Sequence, residues 1–133
     1  MDLIVFDWEK MQEAQMRKPQ VSIAKSGLIG FNKSSIAKFN MQKYQSVILS
    51  FSPTEEKIYL ELSYEIENKI KLRKRQGVIE IGAKHFFSYF NILPKELTFF
   101  QPEIGKKENT IIIDLQKGKT RQQIKTDKNS LNN

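Results

Sequence analysis

The sequence predicts an α+β, mostly β domain made of two β-α-β-β units related by a pseudo-twofold axis. The main observation is an internal repeat, because residues 27–31 and 33–41 return as residues 77–81 and 84–92. The strands align at an offset of 50 residues and the helical stretches at 51, so one residue is inserted near Gly82. A repeat of this length indicates two supersecondary units, neither of which buries its apolar face alone. We therefore expect both units to share one core, as a barrel or as closely packed sheets.

A second observation is the length of 133 residues, which fits one domain with flanking segments. Residues 21–116 are expected to form a tandem-repeat domain, with units over 21–66 and 70–115. Residues 1–20 precede it as a short strand and a helix. Residues 117–133 are rich in Lys, Gln, Asn and Thr and lack apolar periodicity, which predicts a disordered basic tail.

At the N-terminal end, the apolar residues 3–6 predict a short strand, and Asp7 can cap a helix over residues 8–17. Pro19 ends this helix, because the residue before a proline disfavours helical geometry. The face that carries Trp8 is expected to pack on the domain or on a second subunit.

Within the first unit, residues 21–31 predict a strand that Gly27 interrupts, and Asn32 can cap the short helix that follows. Residues 46–51 alternate in the manner of a half-buried strand. Residues 58–66 continue the period of two on a long strand. The second unit is expected to repeat this order of elements.

The sharpest functional feature is a basic strand that is predicted to follow a hairpin tip at Asn68. Ile70 and Leu72 are expected to face inward, so cations project from the opposite face about 6.6 Å apart along the strand. Consecutive phosphates of a nucleic-acid strand have a comparable spacing, so such a row of charges could follow a phosphate backbone. The contacts expected on this strand are Lys69, Lys71, Arg73, Lys74 and Arg75.

A structural interpretation of the same strand stays open. If residues 58–66 pair with residues 70–75, cross-strand partners neutralise half of the row of cations. The expected pairs are Glu65–Lys71, Ser63–Arg73 and Glu61–Arg75. Opposite charges at such positions stabilise a sheet by about 0.2–1 kcal/mol each. The strand would then be solvated and self-paired.

Each half reads strand, short helix, strand, strand, and this unit resembles the swapped-hairpin unit of the AbrB/MazE family of bacterial DNA-binding proteins. The matching stretches are Gly27-Leu-Ile-Gly-Phe31 and Lys33-Ser-Ser-Ile-Ala-Lys-Phe-Asn-Met41, with their counterparts at residues 77–81 and 84–92. The Gly-Asp pair that such units carry between helix and hairpin is absent here, where the chain reads Gln42-Lys-Tyr-Gln-Ser-Val47. The resemblance implies a swapped-hairpin-like barrel and a role in regulating transcription, with DNA as the partner.

Two further candidate contacts are Lys33 and Lys84, which occupy equivalent positions at the starts of the two helices. Across a pseudo-twofold axis they could present two positive charges to one anion or duplex, although a lysine at a helix start needs no function. Exposed tyrosines could stack on bases. The best placed are Tyr44, Tyr59 and Tyr89.

Catalytic and metal chemistry have few residues available. His85 is the single histidine and there is no cysteine, which excludes histidine-pair metal sites, thiolate sites and disulfides. Glu61 and Asp114 are repeat-equivalent carboxylates, but each alternates with inward apolar residues and is expected to face water. We therefore expect no enzyme, no cofactor and no metal. The absence of cysteine and of a long apolar stretch predicts a cytoplasmic protein with no membrane role.

The net charge of +7 suggests an anionic partner, although +4 of it lies in residues 116–133. The leading interpretation is a non-enzymatic nucleic-acid-binding protein, with DNA favoured over RNA and the choice of single or double strands open. The alternative is a protein-interaction or assembly module with no nucleic-acid role, in which the N-terminal strand and helix form an exposed apolar patch. A homodimer is compatible with both interpretations.

Overall fold

In a computed structural model, which describes Leu3, residues 18–68 and residues 70–131, the chain forms two antiparallel sheets and short helices. The strands are β1 (Val21–Ile23), β2 (Leu28–Phe31), β3 (Ser46–Ser52), β4 (Lys57–Ser63), β5 (Arg73–Arg75), β6 (Val78–Gly82), β7 (Thr98–Phe100), β8 (Glu103–Ile104), β9 (Thr110–Asp114) and β10 (Lys119–Thr120). The helices are α1 (Lys33–Lys38), α2 (Lys84–Tyr89) and α3 (Arg121–Leu131), and 3₁₀ turns lie at Met41–Lys43 and Leu115–Lys117. The predicted α+β, mostly β class is confirmed.

The pairing registers relate the two units by local twofold symmetry. Sheet A has six strands in the order β10-β7-β1-β2-β6-β5, and sheet B has four in the order β3-β4-β9-β8. In the β2–β6 pair of sheet A, Gly30 lies opposite Glu80, its equivalent in the repeat. In the central pair of sheet B, Tyr59 lies opposite Ile112, which is also its equivalent. Equivalent residues can oppose each other in antiparallel strands only if a pseudo-twofold axis passes between those strands.

Two repeat-equivalent glycines form the tight turns that lead into β2 and β6. Gly27 has φ +86° and Gly77 has φ +70°, a left-handed conformation that other residues rarely adopt. Each turn also lies against the start of the other unit's helix. A Cβ on Gly27 would lie 2.6 Å from the Cα of Lys84, and a Cβ on Gly77 would lie 2.5 Å from the Cε of Lys33. The two units therefore interlock through these turns.

Helix α1 is fixed at its start by Asn32 and by a fully buried serine. The Oδ1 atom of Asn32 accepts hydrogen bonds from the backbone N–H groups of Ser35 and Gln20, at 2.9 and 3.1 Å. The hydroxyl of Ser35 donates to the carbonyl of Gln20 at 3.0 Å and accepts from its N–H at 2.8 Å. The predicted cap at Asn32 is confirmed. Helix α2 has no side-chain cap, and instead the N–H of Ala83 donates to the carbonyl of Gly27 at 3.0 Å.

The inner faces of the two sheets and the helices share one apolar core. The fully buried side chains are Ile29, Phe31, Ile79 and Ile81 in the β2–β6 pair of sheet A and Ile58, Leu60, Leu62, Ile111 and Ile113 in the β4–β9 pair of sheet B. Phe87 of α2 is also fully buried. Burying an aliphatic or aromatic side chain of this size contributes about 1.5–3 kcal/mol. Because both units supply these side chains, neither could cover its own apolar face.

Within the described residues, the two sheets do not close into the barrel that the family resemblance implies. At one corner, a single isolated bridge joins Ser46 at the start of β3 to Lys71. At the other corner, the chain passes from β7 in sheet A to β8 in sheet B through Gln101 and Pro102. Proline has no N–H group to donate, so the ladder is interrupted where the chain changes sheets.

The predicted hairpin between residues 58–66 and 70–75 is wrong. Strand β4 ends at Ser63, and it pairs with β3 along one edge and with β9 along the other. Neither edge of β4 is therefore free for the basic residues. Strand β5 pairs instead with β6 through the turn at Gly77.

The C-terminal residues differ from the expected disordered tail. Strand β10 pairs with β7, and α3 follows directly. Thr120 and Gln123 form a capping box at the start of α3, since each backbone N–H donates to the other side chain, at 2.8 and 3.3 Å. This reciprocal cap stabilises the first turn of a helix in a segment that has few apolar residues.

The predicted N-terminal helix over residues 8–17 lies outside the described residues, as does all but Leu3 of the strand predicted before it. No helix in the described part of the chain combines the length and the apolar character needed to cross a bilayer.

Replacing each of the two turn glycines by alanine should lower the free energy of unfolding by different amounts. An alanine at position 27 would meet the backbone of Lys84, which cannot move alone, whereas one at position 77 would meet the flexible end of Lys33. We expect Gly27→Ala to lower the free energy of unfolding by about 3 kcal/mol and Gly77→Ala by about 1–2 kcal/mol, the part due to positive φ. Urea unfolding of both variants measures this. Equal losses would contradict the interlocking of the turns.

Candidate nucleic-acid interface

The basic residues that the sequence singled out lie on an exposed edge of sheet A. Arg73, Lys74 and Arg75 form β5, and all three are exposed, as is Lys71 just before the strand. Leu72 is buried between them and anchors the segment in the core. Lys69 lies outside the described residues. The edge position leaves one side of β5 open to solvent.

The cations of this segment divide between two faces. Because Leu72 points into the core, strand alternation places Lys71, Arg73 and Arg75 on the outer face of sheet A. These three residues are named the basic ladder below. Lys74 points to the same side as Leu72, where its Nζ donates a 2.6 Å hydrogen bond to the carbonyl of Gln42. Lys74 therefore fastens β5 to the turn before β3 and is not part of the ladder.

The observed register changes the neighbours of the ladder. Arg73 lies opposite Glu80, and Arg75 lies opposite Val78. Residues that face each other in an antiparallel pair extend from the same side of the sheet, so Glu80 is the acid beside Arg73. Arg75 has an apolar neighbour that cannot neutralise it. In the observed pairings, Arg75 and Lys71, which is bridged to Ser46, have no charged cross-strand neighbour, whereas the sequence had indicated Arg73.

The residues that were expected to neutralise the ladder lie elsewhere. The carboxylate of Glu61 is 3.9 Å from the Nζ of Lys107 on sheet B. Ser63 lies opposite Ser46 in the β3–β4 pair. Glu65 follows β4, and its backbone carbonyl accepts a 2.6 Å hydrogen bond from the hydroxyl of Ser46. None of the three predicted cross-strand pairs is formed.

Among the described residues, the ladder forms no side-chain hydrogen bond and no ion pair, although Glu80 lies opposite Arg73. No hydrogen bond or ion pair in that part of the chain engages the side chains of Lys71, Arg73 or Arg75. Arg73 reaches across β6, since its Nη2 lies 3.2 Å from where a Cβ on Gly82 would stand. The missing side chain at Gly82 leaves room for the guanidinium to lie against the outer face of the sheet.

The structure does not bring Lys33 and Lys84 together. They follow opposite ends of the antiparallel β2–β6 pair and are roughly 20 Å apart along the strands. They therefore cannot share one anion. Gly77 is in the turn directly after Arg75, and the side chain of Lys33 lies against it. Lys33 is therefore at one end of the basic ladder. Lys84 lies at the other end, beside Gly27.

Of the three tyrosines considered for stacking, Tyr89 is the one that solvent reaches freely, at 82% exposure. Tyr44 is buried in the core. The hydroxyl of Tyr59 donates a 2.7 Å hydrogen bond to Glu55, and this bond raises the pKa of Tyr59 above its usual value.

Sequence reasoning missed an aromatic residue on the outer face of sheet A. Phe99 of β7 is half-buried there, opposite Ser22 of β1. The guanidinium carbon of Arg121 lies 6.0 Å from the centre of its ring, within the range of a cation–π contact. Alternation with the buried Phe100 would have indicated this outward direction.

The two repeat-equivalent carboxylates do not form a catalytic pair. Glu61 lies opposite Thr110, whereas Asp114 lies opposite Lys57 at the other end of the β4–β9 pair. Asp114 is buried, contrary to expectation, because its Oδ1 caps the following 3₁₀ turn by accepting a 3.0 Å hydrogen bond from the N–H of Gln116. Throughout the described ranges, no group of three or more His, Cys, Asp or Glu side chains is placed to hold a metal ion.

The chain matches no protein-family model, no curated protein and no solved structure. The functional interpretation therefore depends on the geometry of the outer face of sheet A. Its distinguishing feature is the exposed basic ladder, with Glu80 as the acid beside it and Lys33 next to the turn that follows Arg75.

The observed register can be tested by coupling energies. In a double-mutant cycle, Arg73→Ala and Glu80→Ala should couple by a few tenths of a kcal/mol at low salt, and added salt should shrink the coupling. The matched control is the cycle of Arg75→Ala with Glu61→Ala, a pair that the abandoned hairpin would have joined. We expect no coupling there. Urea unfolding at two salt concentrations measures both, and a larger coupling for the control pair would contradict the register.

Proposed function

We propose that this chain is a non-enzymatic nucleic-acid-binding protein that contacts phosphates through the basic ladder and Lys33. The observation that carries the proposal is that Lys71, Arg73 and Arg75 project from one face at the edge of sheet A and form no hydrogen bond or ion pair with the described residues. An exposed guanidinium or ammonium without a protein partner is available to an anion. Lys74 has a smaller part, because its ammonium is already bonded to a backbone carbonyl.

The spacing of the ladder supports a polymeric ligand. Side chains on one face of a strand are about 6.6 Å apart, so the ladder forms a row roughly 13 Å long. Lys33 lies beside Gly77, in the turn that follows Arg75. A single small anion would occupy one step of such a row. Several phosphates of one nucleic-acid strand could occupy all of it, and each neutralised phosphate would release counterions.

The symmetry of the fold supports a regulator of the swapped-hairpin type. In the AbrB/MazE family, which this chain resembles, two β-α-β-β units come from two chains. The opposition of Gly30 to Glu80 and of Tyr59 to Ile112 is what two such units in one chain would produce. On this resemblance we propose DNA as the nucleic acid and transcriptional regulation as the role. The absence of cysteine supports a cytoplasmic place of action.

The charges of β5 could instead serve to prevent this edge from pairing with other strands. That role predicts a different effect of charge reversal. Charged residues on an edge strand prevent it from pairing with other strands, whatever their sign. An acidic residue at position 75 would preserve such protection and repel phosphates. The two roles of β5 can therefore be separated by charge reversal.

We expect Arg75→Ala to weaken binding to mixed-sequence oligonucleotides by roughly three- to tenfold at low salt, and Arg75→Glu to weaken it further. The slope of log K against log salt should fall by about 0.7–0.9 for Arg75→Ala, the value for one lost phosphate contact. Fluorescence anisotropy with single-stranded DNA, duplex DNA and RNA at several salt concentrations measures both quantities. Stability should be unchanged, because Arg75 is exposed.

The matched control is Lys106→Ala, which removes one positive charge from the exposed β8–β9 turn of sheet B. It should leave the affinity and the salt slope close to those of the parent. If the parent binds none of the three oligonucleotides at low salt, the proposal fails. If Lys106→Ala weakens binding as much as Arg75→Ala, binding follows net charge and the ladder is not the interface.

A further inference from the structure

The open edge of sheet B is unlike the other edges of the fold. Strand β3 reads Ser46-Val-Ile-Leu-Ser-Phe-Ser52 and contains no charged residue and no proline. The edge strands β5, β8 and β10 each carry at least one charge. Natural proteins protect long edge strands with charges, prolines or bulges, because an unprotected edge pairs with another strand. The composition of β3 is therefore that of a strand with a partner.

The backbone of β3 offers hydrogen-bonding groups in the direction of that edge. The N–H of Val47 points away from β4, because it donates a 3.0 Å hydrogen bond to the carbonyl of Ile70. Since backbone groups alternate between the two edges of a strand, those of Leu49 and Phe51 also point away from β4. Pairing on the side of β3 that faces away from β4 stops after Val47. In the described part of the chain, the backbone groups of Leu49 and Phe51 therefore have no strand beside them.

We propose that β3 pairs antiparallel with β3 of a second copy of this chain, about a twofold axis at Ser50. In this register Leu49 faces the partner's Phe51, and Phe51 faces the partner's Leu49. All four residues present their backbone groups to the other strand, which gives four hydrogen bonds. Ser50 lies beside the partner's Ser50, and sheet B becomes one continuous sheet across both copies.

The side chains of β3 are complementary to those of β3 in a second copy of the chain. Leu49 and Phe51 are half-buried on the inner side and would cover each other's remaining apolar surface. Phe51 already packs on Phe90, with ring centres 5.1 Å apart, and Tyr89 lies on the exposed side of that cluster. Ile48, which is 45% exposed, would face the partner's Ser52. Because β3 has no charged residue, this register places no charged side chain of either β3 strand in the interface.

This inference specifies the surface of the homodimer that the sequence left open, and it does not depend on nucleic-acid binding. Ser50 is exposed, so a charge at this position should not disturb the folded monomer. Two lysines, or two glutamates, on the twofold axis would repel each other at the distance of a cross-strand pair. We expect Ser50→Lys and Ser50→Glu each to raise the dissociation constant of the dimer by at least about tenfold.

The test is sedimentation of the full chain over a range of concentrations, with the two variants alone and mixed in equal amounts. The expected result is a dimeric parent, two weakened variants, and recovery of the dimer in the mixture, where lysine faces glutamate. Ser26→Lys, in the exposed β1–β2 turn, is the control and should remain as dimeric as the parent. A monomeric parent, variants that dimerise like the parent, or a mixture without recovery would each overturn the proposal.

Discussion

The antiparallel pairing of β2 with β6 is the interaction on which the rest of the structure depends. It joins the two units at their equivalent strands and sets Ile29, Phe31, Ile79 and Ile81 side by side in the core. It also brings the glycine turn of each unit to the helix start of the other. A one-residue shift of this register would turn the two inward side chains of one strand to the outer face, so the apolar pattern determines the pairing.

This pairing also decides where the charges lie. Because β6 is paired with β2 on one side, β5 can add only to its other side and becomes the edge of sheet A. Because the buried Leu72 just before β5 fixes the alternation, the residues on either side of it point outward, and here those residues are basic. The core therefore determines where the basic ladder lies. It does not determine the charge of the ladder, because the outward positions do not pack in the core.

The open edges at β5 and β3 have opposite chemistry. The edge at β5 carries cations, which repel a second basic strand and attract an anionic polymer. The edge at β3 carries serines and apolar residues, which resemble the interior of a sheet. In the assembly we propose, one edge binds a copy of the chain and the other stays open for the ligand. A twofold dimer would then present two basic ladders, and the effective affinity of one DNA molecule for both could exceed that for either.

The sequence by itself determined the repeat and most strands and helices of the two units, but not β8, β10 or α3. Strand and helix periodicity, the cap at Asn32 and the single insertion near Gly82 depend on residues close together in the chain, and each is visible locally. The polar tail was misread because a helix that begins with a capping box at Thr120 has little apolar periodicity to reveal it. Only the tertiary structure decided which strands pair. Residues 58–66 and 70–75 are neighbours in sequence and have complementary charges, but burial of Leu60 and Leu62 between β3 and β9 stabilises the fold far more than exposed ion pairs could.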